Sequence, residues 1–418
     1  MGSGLFDIIL PHFIQVHLLL HLVELYVIMV LYGKRIVVMI NRAFWLNKIE
    51  LAWKKRTVIW FPGVRRAGKT SICKSIPDCE YFDCELPRIR RMMEDPEDFL
   101  NGLRDKRIVL DEIHRLHNPS ELLKIAADHY PDIKIIATGS STLSASKKFQ
   151  DTLTGRKVKI WLAPMLINES RLFKATDMQH RLLYGGLPPF FMEDEIPERE
   201  FIEWSDDYWA KDVQELFNIT NKHSFQRFME LLLANSGNLF EATKFAAPCE
   251  VSRTTINKYL YVLQQTYVAH VIKPYTSYAP SEIVSAPKVY GFDTGFVCHY
   301  KGWFDLRRED LGFLFEHIVL NEILGQFPKC NVRYWRDKSK HEIDFVYLKN
   351  RHQTPITIEC KWSANNFSFK ALTKFRSRYP DGDNFVVASD VDRPFSKCSG
   401  DITVKFVNLD GLIEALAA

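Results

Sequence analysis

The stretch Gly63-Val-Arg-Arg-Ala-Gly68-Lys69-Thr70 constrains this chain more than any other. It satisfies the pattern GxxxxGK[ST] and lies between a strand-like run, Thr57 to Phe61, and a helical one. Glycines at both ends let successive backbone N–H groups turn toward an anion, a lysine at position seven reaches the outer phosphates, and the hydroxyl after it joins a Mg²⁺ shell. Gly63, Arg66, Ala67, Gly68, Lys69, Thr70 and Ser71 are therefore the nucleotide-binding candidates, with ATP and Mg²⁺ as the expected cofactors. The bland alternative is a glycine-rich turn carrying a solvated lysine.

A second signal follows about forty residues on. Arg107-Ile-Val-Leu110 reads as a buried strand ending in Asp111-Glu112. Such a strand delivers one carboxylate to a metal shell and the next to an attacking water, so Asp111 is the Mg²⁺ candidate and Glu112 the catalytic base. The next strand-like run, Ile133 to Thr138, ends in Gly139-Ser140-Ser141, placing Ser140 as a water-positioning hydroxyl near the γ-phosphate. A plain helix cap is the equal alternative. Tyr81 to Cys84 adds a further strand, and strands alternating with helical stretches imply a parallel, helix-covered sheet.

Composition narrows the remainder. At 418 residues the chain has room for two to four domains, and 46% hydrophobic with 25% charged residues excludes a disordered chain or a disulfide miniprotein. The 8 cysteines show no paired spacing, which points to reduced thiols rather than structural zinc, and with no cleavable signal the expectation is a cytoplasmic protein. The first forty residues differ from the rest. Phe13 to Tyr32 is apolar except at Gln15, His17, His21 and Glu24, and the spacing of the last three makes one polar stripe on a helix. A packed or disordered helix, a membrane contact, and a translation start at Met39 are the three readings.

A helical region spans about Leu166 to Lys273. Within it Ser252 caps a stretch with Ile256, Leu260 and Leu263 on one face, which suits a helix-turn-helix exposing Arg253, Thr254, Asn257 and Lys258 to DNA. A structural three-helix module used for subunit contact is the alternative. Near the C-terminus, Glu342-Ile-Asp344 and Ile358-Glu359-Cys-Lys361 are two short strands. Residues two apart share a strand face, so Glu359 and Lys361 project together, and pairing brings Asp344 beside them. This is the D…ExK arrangement of restriction-endonuclease-like nucleases, with Glu316 as the better upstream acid, Glu322 as the second, and a further Mg²⁺ or Mn²⁺ as the implied ion.

Taken together, these stretches carry a resemblance. Arg65-Arg-Ala-Gly-Lys-Thr70, Val109-Leu-Asp-Glu-Ile113, Ala137-Thr-Gly-Ser-Ser141, Leu153-Thr-Gly-Arg156 with Pro164 and Glu169, Gly185-Gly-Leu-Pro188, Lys288-Val-Tyr-Gly-Phe-Asp293, Glu342-Ile-Asp-Phe345 and Ile358-Glu-Cys-Lys361 run from Ile40 to Ala388. The chain resembles the prokaryotic AAA-type (P-loop) ATPases with a C-terminal domain of unknown function that is restriction-endonuclease-like. The chain opens on an apolar leader of its own (1–39), after which the resemblance implies a multidomain α/β protein: a P-loop parallel α/β core (40–165), a helical lid (166–235), a winged-helix-like module (236–285) and a nuclease-like α/β domain (286–418). It also makes Arg156 a candidate γ-phosphate sensor or arginine finger, from the same or a neighbouring subunit of a homo-oligomer, against the alternative of an ordinary surface arginine.

The formal charge, +4, averages opposite regions. Between Lys329 and Arg378 stand twelve Lys or Arg against four acids, around the carboxylates just named. Nucleic acid is the natural partner of such a patch, and a solvated basic surface is the alternative. The reading is an ATP-hydrolysing protein that engages DNA, with an ATP-gated nuclease and a non-cleaving nucleotide-switched scaffold as its rivals.

Overall fold

The computed structural model describes residues 27–32, 35–139, 147–174, 176–214, 217, 219–276, 286–328, 330–350 and 353–418. It opens on a hairpin. Val27–Tyr32 (β1) pairs antiparallel with Arg35–Ile40 (β2), from Val27↔Ile40 to Tyr32↔Arg35. This corrects the expected helix through Tyr32: both runs are rich in Val and Ile, whose branched side chains fit a pleated strand better than a helix. Gln15, His17, His21 and Glu24 lie outside the described residues, among which no helix is long and apolar enough to cross a membrane.

The helix Ala43–Trp53 leads into a five-stranded sheet of Val58–Trp60 (β3), Cys79–Asp83 (β4), Arg107–Asp111 (β5), Lys134–Ala137 (β6) and Lys157–Lys159 (β7). All its pairings are parallel, in the order β4-β5-β6-β3-β7. Continuous apolar runs make this possible, because both faces of the central strands are covered. Ile59, Val109 and Ile136 pack with Trp45 and Ile49 on one face, while Val58, Ile108, Leu110 and Ile135 meet Leu122, Leu123 and Ala126 on the other. β6 separates β3 from β5, so loop and carboxylates converge at the strands' C-terminal ends from two positions in the sheet.

The helical region contributes Ile167–Phe173, Met178–Tyr184, Pro188–Phe191 and Glu198–Tyr208, the last continued by a π-turn, Trp209–Gln214. Then come Lys222–Ala234, Ala242–Ala246 and Arg253–Gln265, beside a small sheet of Asn238–Leu239 (β8), Ala269–Ile272 (β9) and Lys288–Gly291 (β10) in the order β8-β10-β9. β10, expected with the C-terminal region, pairs instead with β9, Lys288↔Ile272 to Gly291↔Ala269. Two distant sequence motifs meet here. Asp293 accepts the Gly186 N–H at 2.6 Å, and any side chain at Gly185 (φ +81°) would place its Cβ 2.0 Å from the Asp293 carboxylate.

The C-terminal sheet comprises Asn331–Arg336 (β11), Glu342–Leu348 (β12), Ile356–Lys361 (β13), Asn384–Ala388 (β14), Phe395–Ser399 (β15) and Ile402–Val407 (β16). Their order is β11-β12-β13-β14-β16-β15, with β13, β14 and β16 parallel and the rest antiparallel. Helices Arg308–Gln326 and Leu409–Ala417 cover one face through Leu314, Ile318 and Leu412, and Phe369–Arg376 covers the other through Leu372 and Phe375.

Candidate functional site

The loop Gly63–Thr70 leaves the end of β3 and turns into the helix Lys69–Lys74. Gly68 caps that helix at φ +97°, a conformation that costs a side chain dearly, and Gly63 lies so close to Leu162 that a Cβ would sit 2.7 Å from its carbonyl oxygen. Lys69 curls back, its Nζ donating to the carbonyls of Gly63 (2.7 Å) and Val64 (3.1 Å). Burial lowers its pKa, against the opposing pull of Glu112 and Asp212. Ser71 is exposed, and it lines the same cavity as Gly63, Arg66, Gly68, Lys69 and Thr70.

The Thr70 hydroxyl donates to Asp111 at 2.9 Å. Asp111 also accepts hydroxyls from Tyr81 and Thr138, so three donors fix its carboxylate at the end of β5. Glu112 follows in a left-handed conformation (φ +53°), its N–H donating to Thr138 Oγ1 at 3.1 Å. Its carboxylate faces the cavity 3.1 Å from His114 Nδ1. Burial alone would raise Glu112; the His114 hydrogen bond and the Lys69 charge outweigh it and hold the carboxyl below its ordinary value. A carboxylate so held is unprotonated at neutral pH.

The cavity has a volume of about 420 Å³. Sequence reasoning missed much of its wall: Glu85, His114, Arg115, Lys211 and Asp212. Arg65 was legible as part of the loop motif, but its partner was not; Asp212, on the π-turn, meets its guanidinium at 3.0 Å. Pro188 and Pro189, at the start of the helix Pro188–Phe191, line the cavity as well. Lys211 had no signal at all in a helical stretch.

Two expectations fare differently. Ser140 lies outside the described residues. Arg156 does not face the loop within its own chain: β7 runs parallel to β3 with Val58↔Lys157, so Arg156 sits at the N-terminal edge of the sheet while the loop leaves the C-terminal end. Its guanidinium pairs instead with Asp128, at 2.6 and 3.0 Å.

The structure places Arg253, Thr254, Asn257 and Lys258 together on the exposed side of the helix Arg253–Gln265, whose Ser252 cap accepts the Thr255 N–H at 3.1 Å. Ile256, Tyr259, Leu260 and Leu263 face the core. Exposed Tyr261 falls among the polar four, a neighbour the spacing alone did not single out.

The C-terminal acids also converge. In β12 the pairs Arg333↔Val346 and Trp335↔Ile343 leave two residues, Asp344 and Phe345, opposite one. This bulge turns Asp344 toward β13, where it accepts the Cys360 N–H at 2.8 Å. Lys361 Nζ bridges Asp344 (3.1 Å) and Glu359 (2.7 Å). Lys288 and Tyr290 enter from β10: the lysine meets Glu342 at 2.5 Å and Glu316 at 3.4 Å, and the tyrosine hydroxyl donates to Glu316. Burial, reinforced by the Asp344 charge, pushes both Glu316 and Glu359 up. Glu322 is elsewhere, accepting the Ile167 N–H at 2.6 Å. Among the described residues no three His, Cys, Asp or Glu side chains are arranged to hold a metal ion; Lys361 lies between Asp344 and Glu359, and Lys288 between Glu316 and Glu342.

Comparison with known proteins bears on the first site. Residues 55–170 match the sequence model of a family described as an AAA domain. Residues 55–170 form an AAA-type P-loop domain. Residues 175–307 and 311–408 match two domains of unknown function, DUF8612 and DUF4143, which follow the AAA-type domain. An uncharacterized protein of Mycobacterium tuberculosis is 26% identical over 318 residues, covering 73% of this chain and 70% of its own length. Another, from Methanocaldococcus jannaschii, is 23% identical over 391 residues, covering 85% and 86%. Among solved structures, a Walker-type ATPase of Pyrococcus abyssi is similar at 13% identity and a TM-score of 0.43, covering 62% of this chain and 95% of its own. DnaA of Aquifex aeolicus bound to AMPPCP is similar at 9% identity and a TM-score of 0.27, covering 54% and 88%. The parallel sheet and the loop Gly63–Thr70 lie within the residues that the AAA model matches.

Proposed function

We propose that this chain binds and hydrolyses ATP with Mg²⁺ and uses its middle and C-terminal regions to engage DNA. The observation that carries the first part is the Thr70–Asp111 contact at a cavity lined by Lys69, Thr70 and Glu112. Hydroxyl and carboxylate are hard oxygen donors already in contact, which fits a Mg²⁺ site. Bound there, the ion would offset phosphate charge. Lys69 would exchange the carbonyls of Gly63 and Val64 for β- and γ-phosphate oxygens. Glu112 would accept a proton as a water oxygen bonds the γ-phosphorus and the bond to the β–γ bridging oxygen breaks, giving ADP and phosphate. Arg156, facing away from this cavity, would act only on a neighbouring subunit.

DNA engagement is supported by the exposed Arg253, Thr254, Asn257 and Lys258 on a helix followed by two strands of a small antiparallel sheet, a winged-helix-like order. The excess of Lys and Arg between Lys329 and Arg378 supports it too. Cleavage is a second reading, favoured by the bulge that sets Asp344 beside Glu359 and Lys361. The test is Mg²⁺-dependent ATP turnover with and without DNA. Lys69→Ala abolishes nucleotide binding, and Glu112→Gln keeps binding while lowering turnover by about 10²–10⁴; turnover undiminished in both variants overturns the proposal. Plasmid nicking with Mg²⁺ or Mn²⁺ that Asp344→Ala removes would favour the nuclease reading, and its absence the non-cleaving one.

A further inference from the structure

Arg42 stands just before the helix Ala43–Trp53, only 3% exposed, and its guanidinium has two destinations. Nη1 donates to the Ala67 carbonyl at 2.7 Å, inside the phosphate loop and between its two left-handed residues, Arg66 (φ +64°) and Gly68 (φ +97°). Nε and Nη2 hold the Glu169 carboxylate at 2.7 and 3.1 Å. Glu169 in turn accepts the Leu166 N–H at 3.1 Å, and the adjoining Ile167 N–H donates to Glu322 on the helix Arg308–Gln326. Two further straps secure that helix to the same structure. Asn321 Nδ2 donates to the Pro164 carbonyl at 3.2 Å, and Lys48 Nζ, from the helix that Arg42 precedes, caps the carbonyls of Gly325 (2.6 Å) and Gln326 (3.1 Å). Earlier on the helix Arg308–Gln326 sits Glu316, within the acid–lysine cluster.

We infer that Arg42 and Glu169 are positioning residues that couple occupancy of the phosphate loop to the placement of the helix Arg308–Gln326, and so link nucleotide to the acid–lysine cluster. The inference rests on the nucleotide reading of Gly63–Thr70. Binding an anion requires the loop's N–H groups to turn toward it, and Arg42 fixes the Ala67 carbonyl on the opposite side. Both partners are buried, so water cannot take over a bond that loosens, and the loop shifts only with its partners. Coupling of this kind is reciprocal: whatever moves the helix changes nucleotide affinity by the same factor.

The experiment combines hydrogen exchange with calorimetry, using a non-hydrolysable ATP analogue and Mg²⁺ on the full chain. In the wild type, nucleotide is expected to slow exchange of amides 166–169 and 320–326 by about fivefold or more. In Arg42→Met/Glu169→Leu, which removes both charges together, saturating nucleotide still binds but leaves 320–326 unchanged. Glu322→Ala keeps the buried pair but removes the acceptor of the Ile167 N–H, and is expected to retain the response at 166–169 while losing it at 320–326. Where circular dichroism shows the double variant unfolded, Glu322→Ala carries the test by the same criterion. A response at 320–326 that persists in these variants overturns the coupling, as does a wild type that binds nucleotide without any response there. A wild type that binds no nucleotide instead refutes the phosphate-loop reading, and the coupling with it.

Discussion

Replacing Arg42 by methionine tests how the phosphate loop is held. Arg42 and Glu169 are 3% and 4% exposed, and the guanidinium supplies both close contacts to the carboxylate. Without it Glu169 keeps a single backbone donor, Leu166 N–H, and Ala67 O loses its partner. Removing one member of a buried ion pair costs about 3–5 kcal/mol, because the remaining charge is left in a poor dielectric. For a domain of this size that is a fall of roughly 10 °C in Tm. Arg42→Met/Glu169→Leu fills similar space with apolar atoms and is expected to lie within about 2 kcal/mol of wild type. Urea melts followed by tryptophan fluorescence read both, since Trp45 lies 6.0 Å from the Arg42 guanidinium and reports the transition of this core. A single variant costing less than about 1 kcal/mol, or a double variant as costly as the single, would show that the carboxylate is not stranded and refute the reasoning.

Three more perturbations probe other parts of the molecule. Burial pushes Glu322 up from 4.5 to about 7, so the folded chain keeps a proton the unfolded chain has already lost between those values. Stability should therefore fall as pH rises through that window and stay lower above it, by about 3 kcal/mol from this group, and Glu322→Gln should remove that share of the slope in urea melts at pH 5 and 8 while leaving the part that Glu316 and Glu359 contribute. Arg156→Ala should leave ATP turnover unchanged in dilute, monomeric protein; a tenfold loss there would contradict its placement at the far edge of the sheet. Lys258→Ala should weaken DNA binding and reduce the slope of log affinity against log salt by about one, measured by fluorescence anisotropy. An unchanged slope removes that lysine from the interface.

The AAA-type sheet was legible because its signals are local. A loop of fixed spacing between a β-branched run and a helix, and an apolar strand ending in Asp111-Glu112, need no knowledge of distant residues. The exposed face of Arg253–Gln265 was legible for the same reason, from helical spacing after a serine cap. The hairpin of β1 and β2 was not. An apolar run suits helix and strand alike, and the choice fell to cross-strand pairing that periodicity does not report. Arg156 shows a different limit: its sequence neighbours say nothing about which end of the sheet it occupies, and parallel pairing with β3 places it at the end away from the loop.

The amino-acid sequence by itself determined the chemistry available at each strand end: phosphate-binding amides at Gly63–Thr70, carboxylates at Asp111 and Glu112, and the Asp344, Glu359 and Lys361 set. Tertiary structure alone decided which of these groups meet others. It brought Asp212 to Arg65, Glu169 to Arg42, and Lys288 from the small middle sheet into the C-terminal acids. Spacing encodes what one element presents on a face; ion pairs between elements far apart in the chain depend on how whole sheets and helices pack.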